Sequence, residues 1–61
     1  MEDKVEKRSF QLNESVLVSD ERGEVGRGVV IGRTFASPMR YDVKIDDEIY
    51  NFLPEYELSH V

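Results

Sequence analysis

The chain has 61 residues, no cysteine, one histidine and a formal net charge of −5. Its length limits it to one domain with a small core, and the lack of cysteine excludes disulfide bonds and cysteine-ligated metal sites. The whole net charge lies in residues 42–61, which hold six carboxylates and one lysine, and this distribution disfavours broad non-specific binding to nucleic acid.

Taken in chain order, the sequence predicts a leader followed by five short strands. Residues 1–9 are mostly charged, so we expect a disordered or frayed, flexible leader before a folded domain at residues 10–61. Alternating apolar side chains predict strands at 15–20, 26–35, 40–45 and 48–53. Residues 54–57 (PEYE) predict a single 3₁₀ turn, and residues 58–61 a last strand.

The same alternation predicts which side chains face inward, because successive residues of a strand point to opposite faces. On this basis Tyr41, Val43 and Ile45 are predicted to face inward, and Val16 and Val18 are predicted to share one face of their strand, with Leu17 on the other.

Residues 48–53 (EIYNFL) leave two alternatives open. Either Tyr50 and Phe52 are buried and Ile49 is exposed, or the opposite face is buried. In both cases apolar surface is left over on both faces, together with Leu17 and Val30, and exposed apolar patches usually mark an interface.

All four glycines lie in residues 22–35 (RGEVGRGVVIGRTF). A P-loop would require lysine followed by serine or threonine after the last glycine, and then a helix. A dinucleotide-binding fingerprint would require different glycine spacing and a βαβ unit. We therefore expect no cofactor, and interpret the glycines as residues that allow a strand to bend or bulge.

The order of these elements resembles that of small SH3-like barrels of the Tudor and KOW type. The resemblance covers residues 10 to 60 and is carried by the segments NESVLV, GRGVVIGR and YDVKIDDEIYNFLPEYEL. It implies an all-β fold: a five-stranded SH3-like barrel with a single 3₁₀ turn before the last strand. Such barrels have unrelated functions, so the fold alone does not indicate one.

A second resemblance is to type II dihydrofolate reductase, a small barrel that forms its active site only as a tetramer. Residues Glu48, Ile49 and Tyr50 are similar to a Gln-Ile-Tyr triplet of that family. Glutamate replaces the family's glutamine, and no lysine matches the family's cationic contact. The resemblance implies, as a lesser alternative, an enzyme site assembled at an oligomer interface.

The leading hypothesis is a non-enzymatic protein-interaction module that binds itself, as a dimer, or a larger protein partner. We expect its contact surface to join residues 34–40 to the hairpin at 46–52, since loops on a rigid scaffold often carry function. The predicted binding residues are of types enriched at interfaces: Arg33, Phe35, Met39, Arg40 and Tyr50. No catalytic or metal-ligating residue is predicted.

The alternative hypothesis is a nucleic-acid-binding barrel, which net charge disfavours. Arg27, Arg33 and Arg40 would contact phosphates, and Tyr41 or Phe35 would stack on a base. No apolar run reaches about 18 residues and no segment resembles a signal peptide, so we expect a cytoplasmic protein without membrane association.

Overall fold

A computed structural model describes residues 9–61 of the chain. Apart from Ser9, which is exposed, the predicted leader lies outside these residues. The elements are β1 (Ser15–Asp20), β2 (Gly23–Thr34), β3 (Arg40–Ile45), β4 (Glu48–Pro54), a 3₁₀ turn (Glu55–Glu57) and β5 (Leu58–His60). The predicted all-β fold, with one 3₁₀ turn before the last strand, is confirmed for the described part of the chain. Strand β2 begins three residues before the predicted start at 26.

The five strands form one antiparallel sheet in the order β4-β3-β2-β1-β5. Strands β4 and β5 lie at its two edges, so the sheet is open and the predicted barrel closure is not confirmed. Strand β2 joins the two halves, because Val29 is in register with Ser15 of β1 and with Lys44 of β3. Within residues 9–61, no helix is long and apolar enough to cross a membrane.

Strand β2 is irregular at two points, where the register shifts against β1 and against β3. Between these points Gly28 approaches β3 so closely that a Cβ atom would lie 2.5 Å from the Lys44 carbonyl oxygen. A residue without a side chain is therefore required where the strand coils over its neighbour. This agrees with the interpretation of the glycines as shaping residues.

One apolar cluster forms the core of the described domain. Its buried members are Phe10, Val16, Val18, Val30, Tyr41, Val43 and Leu58. Val16 and Val18, which share one face of β1, and the predicted inward residues Tyr41 and Val43 of β3 are among them, and Ile45 packs against the cluster half-buried. The alternation therefore holds in both of these strands. The expectation that Val30 is left over outside the core is wrong, because Val30 pairs with buried Val43 and is itself buried.

Phe10 connects the segment before β1 to this core. Its ring meets Tyr41 nearly edge-on, with centroids 5.4 Å apart, and its N–H donates to the Tyr41 hydroxyl over 3.2 Å. The ring of His60 lies on another side, 4.5 Å away. The start of the described chain is thus packed against both the middle and the end of the sheet.

A carboxylate fixes the turn that follows Phe10. The Gln11 N–H donates to Glu14 Oε1 over 2.9 Å, and His60 Nδ1 lies 2.7 Å from Glu14 Oε2. The bond from Gln11, followed by the contact with His60, holds the pKa of Glu14 below its ordinary value. Glu14 therefore joins the entry to β1 with strand β5.

Strand β4 departs from strict alternation at a bulge. Tyr50 is in register with Val43 and Leu53 with Tyr41, so two residues of β4 face one residue of β3. Tyr50 and Leu53 are half-buried on the core side, while Ile49 and Phe52 are 53% and 56% exposed. The alternative that buries Tyr50 and exposes Ile49 therefore holds in the first half of the strand. The opposite alternative, which buries Leu53 and exposes Phe52, holds in the second half.

Candidate functional site

The outer face of β2, β3 and β4 carries the main exposed apolar surface of the sheet. Val29, Lys44 and Ile49 form one row across the three strands. Around this row lie Ile31 and Phe52, both exposed, and the half-buried Arg40. We call this surface the outer patch and define it by Val29, Ile31, Arg40, Lys44, Ile49 and Phe52.

Phe52 occupies an unusual backbone conformation at the centre of the β4 bulge. Its φ of 61° lies in the left-handed region, which costs an L residue about 1–2 kcal/mol and is usually occupied by glycine or asparagine. Its N–H donates to Asp42 Oδ1 over 2.8 Å. Because this bond has an ionised acceptor, it offsets part of the strain.

Asp42 can reach the bulge because strand β2 leaves room for its carboxylate. A Cβ atom on Gly32, its register partner, would lie 2.6 Å from Asp42 Oδ2. Residues of three neighbouring strands thus fix the position of Phe52. A strained residue that its surroundings hold in place is a common feature of binding sites.

Arg40 places a positive charge beside the exposed aromatic ring. Its guanidinium carbon lies 5.1 Å from the centroid of the Phe52 ring, within the range of a cation–π interaction. The contact limits the positions that both side chains adopt. The patch therefore presents an aromatic ring and a cation as a unit.

The outer face is positive although the chain as a whole is negative. Register places Arg27, Arg40 and Lys44 on this face, together with the carboxylates Glu24 and Asp42. Three cations and two carboxylates give a local balance of +1. The Asp42 carboxylate, which lies between Arg40 and Lys44 along β3, is engaged by the Phe52 N–H at the bulge.

Of the predicted binding residues, Arg40 lies in the outer patch and the others lie elsewhere. Phe35 is 84% exposed in the segment after β2. Arg33 is exposed but in register with buried Tyr41, so it shares the face opposite the outer patch. The structure does not bring these residues together as one surface.

Two of the predicted anchors are engaged within the domain. Met39 packs against the core cluster. Tyr50 is half-buried on the core side, and its hydroxyl donates to Glu48 Oε1 over 3.1 Å, which raises the pKa of Tyr50. Both side chains are therefore less accessible to a partner than their prediction as apolar anchors assumes.

The residue set predicted for nucleic acid also changes. Tyr41 is buried and cannot stack on a base, because its ring packs on Phe10 and is 1% exposed. Arg27 and Arg40 share the outer face, but Arg33 lies on the other. The structure does not bring these four residues to one surface.

The patch residues that the sequence did not single out are Val29, Ile31 and Lys44, and also Ile49 and Phe52, which lie in the predicted contact hairpin at 46–52 but were not named as binding residues. Val29, Ile31 and Ile49 have clear apolar character, but alternation alone did not identify their face as a binding surface. The sequence signal for the bulge was the pairing of an outward aspartate with a glycine, which becomes visible only when the register is known.

A polar depression of about 560 Å³ lies at the other end of the sheet. It opens between the β1–β2 turn and the 3₁₀ turn and is lined by Ser19, Asp20, Glu21, Arg22, Tyr56 and Glu57. Among residues 9–61 no group of three metal-ligating side chains is arranged to hold a cation.

Comparison with known proteins finds no matching family model and no significantly similar curated protein or solved structure. The geometry of the outer patch therefore provides the basis for assigning a function.

Proposed function

We propose that the protein is a non-enzymatic interaction module that binds a protein surface through the outer patch. The partner is a second copy of the chain or a larger protein. The observation that carries this proposal is Phe52, an aromatic residue held outward in a strained conformation by Asp42 and Gly32. Strain of this kind persists only where the surroundings enforce it, and it concentrates at functional sites.

The composition of the patch supports binding to protein. Its aromatic and arginine side chains are the types enriched at interface hot spots, and its aliphatic side chains surround them. The buried core of residues 9–61 has only seven apolar members, so a domain of this size also gains stability from covering such a surface.

The test compares the wild-type chain with Phe52→Asn, because asparagine tolerates the left-handed conformation and preserves the bulge. Phage-displayed random peptides are selected on the immobilised full chain, and sedimentation measures self-association. We expect binding or self-association to weaken about tenfold or more in Phe52→Asn. The matched control is Tyr56→Asn. Tyr56 is an aromatic residue outside the patch and is 71% exposed, so this variant should bind like the wild type.

Two outcomes would refute the proposal. In the first, Phe52→Asn retains the wild-type binding and association. In the second, Phe35→Asn removes the binding while Phe52→Asn does not, which would return the site to the segment after β2. Thermal denaturation of each variant shows that the fold is intact.

A further inference from the structure

Resting on the proposed function, we propose that the outer patch binds a peptide segment of a different protein, in which apolar side chains are flanked by carboxylates. The first argument concerns Lys44, which lies in register between Val29 and Ile49. A partner that covers these two aliphatic side chains must also cover the lysine. A covered charge is costly unless the partner supplies an opposite one, so an apolar partner needs an acidic group at this position.

Arg40, at the other end of the patch, also favours an acidic group on the partner. Its guanidinium is already placed over the Phe52 ring, so a partner that packs on the ring meets a fixed fork of N–H donors. Carboxylates match that fork in a bidentate geometry. Among residues 9–61 the ion pair present is that of Glu14 with His60, so no described carboxylate makes a direct ion pair with Arg40 or Lys44.

The same charges argue against a symmetric dimer through this face. A twofold axis brings identical patches together, which would place the cations of one copy near the cations of the other. Like charges across an interface cost several kcal/mol. Since the outer patch carries the cations Arg40 and Lys44, and the carboxylate between them, Asp42, is engaged by the Phe52 N–H, the partner surface is different from the outer patch.

Nucleic acid fits the patch less well than an acidic peptide does. Binding to single strands relies on several aromatic platforms along a basic groove. Here Phe52 is the exposed aromatic of the face, and Val29, Ile31 and Ile49 around it offer no ring on which a base can stack. The aliphatic side chains instead match leucine, isoleucine or phenylalanine of a peptide.

The test is a titration of the isotope-labelled full chain, followed by amide chemical shifts. The probes are a peptide that alternates Leu, Phe and Ile with Glu, the same peptide with Lys for every Glu, the same peptide with Ser for every apolar residue, and oligothymidine. We expect the Glu–apolar peptide to bind about tenfold or more tightly than the others. Its shift changes should centre on Ile31, Lys44 and Phe52.

Charge reversal sharpens the test. Lys44→Glu should weaken the Glu–apolar peptide about tenfold or more and improve the Lys–apolar peptide, because the variant inverts the charge between the two aliphatic residues. Arg33→Glu is the matched control, since it reverses an exposed arginine on the opposite face of the sheet. It should leave the preference unchanged.

The outcomes separate this inference from the proposed function. If peptides bind at Phe52 with no preference for Glu over Lys, the acidic partner is wrong while the interaction module stands. If no peptide binds and Phe52→Asn changes nothing, both fail. Tightest binding by oligothymidine, or association of copies that is lost in Lys44→Glu, would replace the acidic peptide by nucleic acid or by a second copy.

Discussion

Replacing Asp42 tests whether its carboxylate holds the β4 bulge. The Phe52 N–H donates to Asp42 Oδ1 over 2.8 Å, and hydrogen bonds to charged groups contribute about 1.5–3 kcal/mol. Asp42 is half-buried, so the lower end of that range applies. We expect Asp42→Ala to lower the free energy of unfolding by about 1–2 kcal/mol. Asp42→Asn keeps a neutral acceptor of about half the strength and should lose about 0.5–1 kcal/mol.

Urea denaturation measures the free energy of unfolding of the wild type, of Asp42→Ala and of Asp42→Asn. Hydrogen exchange measures how strongly the Phe52 amide is protected in each protein. The control is Asp47→Ala, which removes an exposed carboxylate from the β3–β4 turn and should change stability by about 0.5 kcal/mol at most. In a domain of this size 1 kcal/mol shifts Tm by roughly 4–8 °C, so the variants are resolvable. Equal stability of Asp42→Ala and Asp47→Ala, with unchanged exchange at Phe52, would refute the reasoning.

Three further predictions follow from contacts elsewhere in the sheet. Gly28→Ala puts a Cβ atom 2.5 Å from a backbone carbonyl oxygen of β3, so it should lower the free energy of unfolding by about 1–3 kcal/mol in urea denaturation; wild-type stability would contradict the close approach. The Gln11 N–H is the first cause of the lowered pKa of Glu14, so the Glu14 carboxylate adds stability above its unfolded pKa, and this stability is lost on acidification through about pH 4. Urea midpoints of Glu14→Gln should fall less over this pH range than those of the wild type. An equal fall in both proteins would contradict a stabilising bond from Gln11 to Glu14. The Tyr50 hydroxyl bonded to Glu48 has a raised pKa, so it adds stability that disappears as pH rises beyond about 10. In urea denaturation, Tyr50→Phe should lack this alkaline decrease in the free energy of unfolding. An unchanged decrease would show that another group causes it.

The parts of the fold that the sequence predicted correctly are those governed by local pattern. Val16 and Val18 in β1 and Tyr41 and Val43 in β3 lie in regular stretches where period two holds, and all four are buried. The 3₁₀ turn at Glu55–Glu57 was predictable because proline precedes it in sequence. In each case the sequence pattern and the structure that it predicts lie within a few residues of each other.

The bulge in β4 was not predictable in the same way, because its cause lies on other strands. Asp42 supplies the acceptor and Gly32 the space, and these two residues meet only through the register of β2 with β3. The local sequence also favours a different outcome, since asparagine is better suited than phenylalanine to a positive φ. Asn51 directly precedes Phe52, which nevertheless adopts that conformation.

The bulge also determines what kind of binding β4 supports. As an edge strand of an open sheet, β4 could pair with a strand of another molecule through its free backbone groups. The bulge at Asn51 and Phe52 interrupts that edge, and Pro54 at its end lacks a donor. Backbone pairing is therefore disfavoured, while the side chain of Phe52 is turned outward beside Arg40. The same feature that protects the edge therefore favours the proposed recognition through side chains, with specificity set by charge.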